Sequence, residues 1–309
     1  MKKNIWMLFS LALLLSACVE KSYDIPPFID ESESNGTDPD PDPDPDPDPD
    51  PDPIYLFKEE FDGKISETKW KHCDWNVAPW QDFMGEFTFP EPKAPDRIIP
   101  VDATSVLLQA VDPMKYGLEE DNHHPWCMGL WTKGIFGFKH GEVRVRAKFK
   151  VGQGAWPAIW LMPTDEDEVE WPGGGEIDIM ERWNDDDEVV HSVHYKTEGG
   201  GNTYKTLSVF DGESGLDLAD YNEYGVRKTP GKLEYMVNGQ VTFTVTQDDV
   251  EADGGIWPFE DHDYYVIINM ACAPTKEHWN VGAYRLPLPS MDMLPYEMAV
   301  DYVWVTAIQ

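Results

Sequence analysis

The sequence predicts an all-β sandwich or barrel in one domain, and three observations carry that prediction. Short segments alternate between apolar and polar residues: Gly141 to Lys148, Glu176 to Glu181, Leu233 to Val237, Tyr264 to Met270 and Met298 to Val305. A period of two is the pattern of a strand with one buried face. Asn238-Gly239 stands between two such alternations, a strong hairpin signal because both residues tolerate the positive φ of a tight turn. Between these segments lie Gly, Pro, Asn and Asp rather than amphipathic helical runs, and many short strands at this spacing close into a sandwich or barrel.

The elements before that domain read differently. Lys2 and Lys3 precede an apolar run from Ile5 to Leu15, followed by Ser16-Ala17-Cys18. A basic start, a short apolar core and small residues describe an export signal over residues 1–17, too short for a permanent membrane span. The Cys that follows makes it a lipoprotein signal, with Cys18 as the lipidated N-terminus that anchors the protein to the bacterial outer membrane. Residues 18–53 form the linker. From Asp38 to Pro53 it repeats Asp-Pro without interruption. Each Pro fixes its own φ and extends the residue before it, and the Asp charges repel, giving a spacer of roughly 50 Å. The folded domain is expected over 54–309, as a monomer.

Charge narrows the partners. A formal net charge of −34 excludes nucleic acid and anionic membrane surfaces, which need clustered Lys and Arg. It also weighs against a heavily sulfated glycan. The 13 Trp residues are the opposite bias, since an indole face can stack on the C–H face of a sugar, although Trp is also ordinary core material. After processing only Cys73, Cys127 and Cys272 remain, which is no disulfide framework. A Cys73–Cys127 pair stays open, and no Cys or His spacing reads as a zinc site.

Glu176-Ile177-Asp178-Ile179-Met180-Glu181 is the most informative stretch. In a regular strand Glu176 and Asp178 share one face, and Glu181 falls on the other, among the isoleucines. A β-bulge near Ile179-Met180 would add one residue and return Glu181 to the acidic face. Three aligned carboxylates repel, so the arrangement needs a reason. An effective spacing of four residues separates the outer Cα atoms by roughly 13 Å. Two inclined Glu side chains then bring their carboxyl groups to roughly 5–6 Å, near the separation used by retaining glycosidases. A solvated acidic strand is the alternative reading of the hexapeptide alone.

The neighbouring segments decide between them. Trp156-Pro157-Ala158-Ile159-Trp160-Leu161 lies upstream, and Pro172-Gly173-Gly174-Gly175 leads into Glu176. Together with Phe57 to Gly63, Trp131 to Gly134, Tyr224 to Gly239 and Met298 to Val303, these segments resemble glycoside hydrolase family 16, the laminarinase-like β-glycanases. The resemblance implies a β-jelly-roll sandwich of the concanavalin A type with a concave cleft. It implies retaining, endo-acting hydrolysis, with Glu176 as nucleophile, Glu181 as general acid/base and Asp178 as their modulator. On this reading ionised Glu176 and Asp178 keep Glu181 protonated. Trp156 matches a Trp that stacks on substrate near the central subsites, and His194 a His near the acid/base. Trp160 is expected in the core. Trp126, Trp131, Trp183 and Trp279 are candidates for outer stacking platforms or for packing. The resemblance also implies a structural Ca²⁺ with Glu60 and Asp301 as ligands, and no cofactor for catalysis.

The chain departs from the laminarinase pattern at Arg227-Lys228, at Arg182-Trp183-Asn184 and from Ala271 to Asn280. These departures are expected where substrate identity is decided. β-1,3 or mixed-linkage β-glucan is the first expectation, and the β-galactosyl bonds of mucin-type O-glycans are the alternative. A non-catalytic glycan-binding lipoprotein on the same sandwich is the rival of another class.

Overall fold

The alternating segments become strands of two stacked sheets in the computed structural model, which describes residues 52–74, 86–87, 98–101, 104–116, 125–272, 279–281, 284–287 and 289–308. Cys18, the signal and the Asp-Pro run lie outside the described residues. In chain order the strands are β1 (Tyr55–Glu59), β2 (Lys71–His72), β3 (Glu86–Phe87), β4 (Ile98–Val101), β5 (Ser105–Ala110) and β6 (Trp126–Trp131). There follow β7 (Gly141–Lys150), β8 (Ala155–Pro163), β9 (Glu176–Glu181), β10 (Glu188–Lys196), β11 (Asn202–Phe210) and β12 (Asn222–Thr229). The last six are β13 (Lys232–Val237), β14 (Gln240–Thr246), β15 (Tyr264–Cys272), β16 (Trp279–Val281), β17 (Tyr284–Leu286) and β18 (Tyr296–Thr306).

The front sheet runs β11-β10-β9-β8-β15-β6-β2, with β3 on β6. The back sheet runs β14-β13-β12-β7-β18-β5-β4, with β1 on β18. Their facing sides share one apolar core, with Val143 and Val145 of β7, Val226 of β12 and Val303 of β18 opposite Ile177, Ile159 and Ile267 of the front sheet. This order places β9 inside the front sheet, braced by β8 and β10, so its groove-side residues stand on rigid ground. The one α-helix among the described residues, α1 (Gln247–Ala252), is closed by a Thr246–Asp249 capping box.

The hairpin reads as the sequence predicts. β13 and β14 join through Asn238 at φ 50° and Gly239 at φ 76°. Asn238 also works as a side chain, since its Oδ1 accepts from Glu223 N at 2.9 Å and its Nδ2 donates to Gly215 O at 2.7 Å. Asn238→Ala is expected to lower unfolding free energy by about 2 kcal/mol, from left-handed backbone cost and lost hydrogen bonds, and urea titration checks it.

Glu60 pairs with Lys58 at 3.1 Å, and Asp301 pairs with the Arg146 guanidinium. Among the described residues no three Asp, Glu, His or Cys side chains group to hold a metal. No disulfide joins Cys73, Cys127 and Cys272, which are all buried thiols.

Candidate active site

The bulge is where the broken alternation puts it. Across β10, Glu181 pairs with Val190 and Asp178 with Ser192, so Ile179 and Met180 oppose the single residue His191. Across β8, Glu181 pairs with Ala158, Met180 with Ile159 and Asp178 with Trp160. Ile177, Ile179 and Met180 are fully buried in the core, and Glu181 returns to the face of Glu176 and Asp178.

Each carboxyl group then has its own surroundings. Trp171 Nε1 donates to Glu176 Oε2 at 2.7 Å. Trp156 Nε1 donates to Glu181 Oε1 at 2.9 Å, and the Ser192 side chain also hydrogen-bonds Glu181. Burial is the main reason that the Glu181 carboxyl is raised to about 7; the two hydrogen bonds pull it down and the Glu176 charge pushes it up. Asp178 is only 3% exposed. Burial first, then the charges of Glu176 and Glu181, push its carboxyl well above the usual range, and it hydrogen-bonds Glu176.

Burial pushes the Asp178 carboxyl up beside Glu176, to which it hydrogen-bonds, so it differs from the exposed second anion of the expected charge pattern. The Glu181 carboxyl is raised chiefly by its own burial.

The loop into β9 explains the glycine run. Gly175 has φ +73°, and a Cβ there would lie 2.6 Å from the Phe259 ring; a Cβ on Gly174 would lie 2.7 Å from Pro163. The Tyr264 hydroxyl donates to Gly174 O. The loop is therefore clamped just before Glu176, and it carries Trp171 over the carboxylate. Trp171, 44% exposed, was not singled out in the sequence; a Trp opening a Pro-Gly-Gly-Gly run beside an acidic strand is the signal that could have found it. Trp171→Phe keeps the ring and removes the N–H donor. Since hydrogen bonds to charged groups are worth about 1.5–3 kcal/mol, it should lower kcat roughly 10- to 100-fold, read by steady-state kinetics.

The other predicted residues divide. Trp131 and Trp160 line a groove of about 320 Å³ with Met162, Trp171, Gly174 and Lys133. Trp160 is buried as expected but belongs to the groove floor, where its Nε1 donates to Asn269 Oδ1 at 2.7 Å. Trp156 is half-buried, with one ring face on Trp183 at 4.6 Å and 26°. Trp183 and Trp126 are 3% and 5% exposed, so both are packing residues and not open platforms. His194 pairs with Glu176 across the strands, and its Nε2 lies 3.5 Å from Asp178 Oδ2. Its ring sits 6.0 Å from Trp171 and 5.4 Å from the exposed Tyr204, a second residue the sequence did not mark. The Trp279 side chain and residues 273–278 lie outside the described residues.

Two of the departures turn out to build the scaffold. Arg182 donates to Asp186 O, and Asn184 Oδ1 accepts from Gly154 N at 2.8 Å, holding the turn that presents Trp156. Lys228 is fully buried on β12 of the back sheet. Its ammonium donates to Lys139 O and Phe259 O, behind the ring that packs against Gly175, and burial lowers its pKa to about 8.

Residues 115–279 match the family model for Glycosyl hydrolases family 16. The chain belongs to this family. A keratan-sulfate endo-1,4-beta-galactosidase of Sphingobacterium multivorum is 30% identical over 258 residues, covering 81% of this chain and 54% of that protein. A beta-glucanase of Rhodothermus marinus is 30% identical over 189 residues, covering 57% of this chain and 60% of that protein. The chain thus spans little more than half the length of these curated relatives. The laminarinase catalytic domain of Thermotoga maritima superposes with a TM-score of 0.67 at 23% identity, covering 84% of this chain and all of that one. The family-16 fold, a jelly-roll sandwich of two antiparallel sheets, is the one observed here.

Proposed function

We propose that the protein is a retaining, endo-acting β-glycan hydrolase in which Glu176 attacks the anomeric carbon and Glu181 supplies and then recovers the proton. The observation that carries this reading is the bulged strand, which puts a buried Glu181 on the same face as Glu176. Trp171 donates a hydrogen bond to Glu176, and Asp178 hydrogen-bonds it, which fixes the attacking carboxyl group in place. Attack forms the C–O bond to Glu176 as the glycosidic C–O bond breaks, and the Glu181 proton goes to the departing oxygen. Water then adds to the anomeric carbon, gives its proton to Glu181 and releases Glu176. No metal or organic cofactor is required for these steps. The open groove suits cutting within a chain.

The sequence puts β-1,3 or mixed-linkage glucan first. The galactosidase match, which spans 81% of this chain against 57% for the glucanase, supports moving a β-galactosyl glycan ahead of it. Cys18 and the Asp-Pro segment are assigned to an outer-membrane lipid anchor and its spacer. Mass spectrometry of products tests the reading. The purified full-length chain is incubated with mucin O-glycans, keratan, laminarin and mixed-linkage β-glucan. Galactose-ended oligosaccharides from the first two support the galactosyl reading, and glucan oligosaccharides restore the glucan. Binding to any of them without cleavage supports the glycan-binding rival.

A further inference from the structure

The bulge that creates the site is itself unstable unless something holds it. The inserted Ile179 has no residue paired with it across β8 and is fully buried. An unmade hydrogen bond at its carbonyl would be costly there. That carbonyl is met by His191, the one residue of β10 opposite the bulge, whose Nδ1 lies 2.6 Å from Ile179 O.

The tautomer follows from the partners. A carbonyl only accepts, so Nδ1 carries the proton and Nε2 is bare. Thr242 Oγ1 of β14 lies 2.9 Å from Nε2 and 3.2 Å from Tyr235 O, and its one proton is shared between these two acceptors. His191 has no exposed surface, and burial lowers its pKa to about 4, so the ring stays neutral at ordinary pH. Neighbouring elements fix its position: Thr206 Oγ1 donates to His191 O at 2.9 Å, the Tyr235 ring lies 5.2 Å away, and the Tyr235 hydroxyl donates to Ser192 O at 2.7 Å. Ser192 in turn touches Glu181. The back sheet thus reaches through the core to the bulge and to the residue beside it.

We infer that His191, oriented by Thr242, is a positioning residue that locks the Ile179 bulge and so aims Glu181 at the departing oxygen. This rests on the reading of Glu181 as acid/base. It assigns a catalytic consequence to a side chain that never reaches the groove. Without the Nδ1–H donor the strand can relax toward regular register, which turns Glu181 away from Glu176. A displacement of about 1 Å is enough to cost roughly 100-fold in rate.

The test compares two substrates in the full-length protein: the glycan cleaved in the panel above, and a 2,4-dinitrophenyl β-glycoside of its disaccharide, whose leaving group needs no proton. His191→Leu should lose roughly 100-fold in kcat on the glycan and little on the aryl glycoside. His191→Asn, with an amide N–H available at the Nδ1 position, should recover most of the glycan rate. Thr242→Val should show the same split, smaller, and decides the matter if His191→Leu does not fold, as judged by its thermal melt. Glu181→Gln is the control. If it splits the two substrates and neither His191→Leu nor Thr242→Val does, the positioning role is wrong and the acid/base reading stands. Equal losses on both substrates in the two variants also overturn it, by showing a purely structural role. If Glu181→Gln gives no split, the acid/base assignment falls and this inference with it.

Discussion

Glu176→Ala should lose on the order of 10⁴-fold or more in glycan hydrolysis, about 5 kcal/mol of transition-state stabilisation, and added azide should restore turnover. The variant removes the atom that attacks carbon and leaves a space on that face of the sugar. Azide entering that space displaces the leaving group in one step, so the product is the α-glycosyl azide. Trp171 and Asp178, which hydrogen-bond Glu176, remain to line the space. Chromatography and NMR of the azide product read the result. A β-glycosyl azide, or no rescue with an activated leaving group, would remove Glu176 from the nucleophile's place.

Glu181→Gln should separate substrates by leaving group. General acid help is worth about 10²–10⁴-fold, so cleavage of the glycan should fall by about that factor while a 2,4-dinitrophenyl glycoside still reacts with Glu176. The wild-type protein should lose activity as pH rises through about 7, where Glu181 gives up its proton, and the variant should lack that limb. Stability should move with the same group. Its folded pKa of about 7 lies above the ordinary 4.5, so the native state holds this proton more tightly than the unfolded chain. The stabilisation is therefore fully present below about pH 4.5 and lost as pH rises through 7, roughly 3 kcal/mol in all. Asp178 acts in the same direction. At pH 8 Glu181→Gln should accordingly melt higher than wild type, a rise of several degrees readable by calorimetry.

Period-two alternation made strands such as β7, β13 and β18 legible because alternate residues there are buried and partly exposed, whereas β15 is buried at every residue. The bulge was legible for the same reason: Glu181 breaks parity with Ile177, and only an inserted residue repairs it. How far a loop reaches is harder to read: Trp171, ahead of a Pro-Gly-Gly-Gly run, could have been marked as a neighbour of the acidic strand, but the hydrogen bond of its indole to Glu176 depends on the loop's path. Burial of Trp126 and Trp183 was likewise hidden, since an indole serves a core and a sugar platform equally well. The burial that pushes the Asp178 carboxyl up comes from its place in the sheet beside Glu176, which spacing alone does not give. Lys228 misled in the other direction. As a departure from the laminarinase pattern it looked like substrate tuning, and it lies in the core of the back sheet, tied to two carbonyls.

The central claim is a double displacement through Glu176 with Glu181 as its proton carrier. Proton NMR of the first anomer released during rapid hydrolysis tests it most directly. The account predicts the β-anomer first, with the α-anomer growing only by slow mutarotation. The α-anomer appearing first would mean that water, not Glu176, attacks the sugar, and would contradict the account.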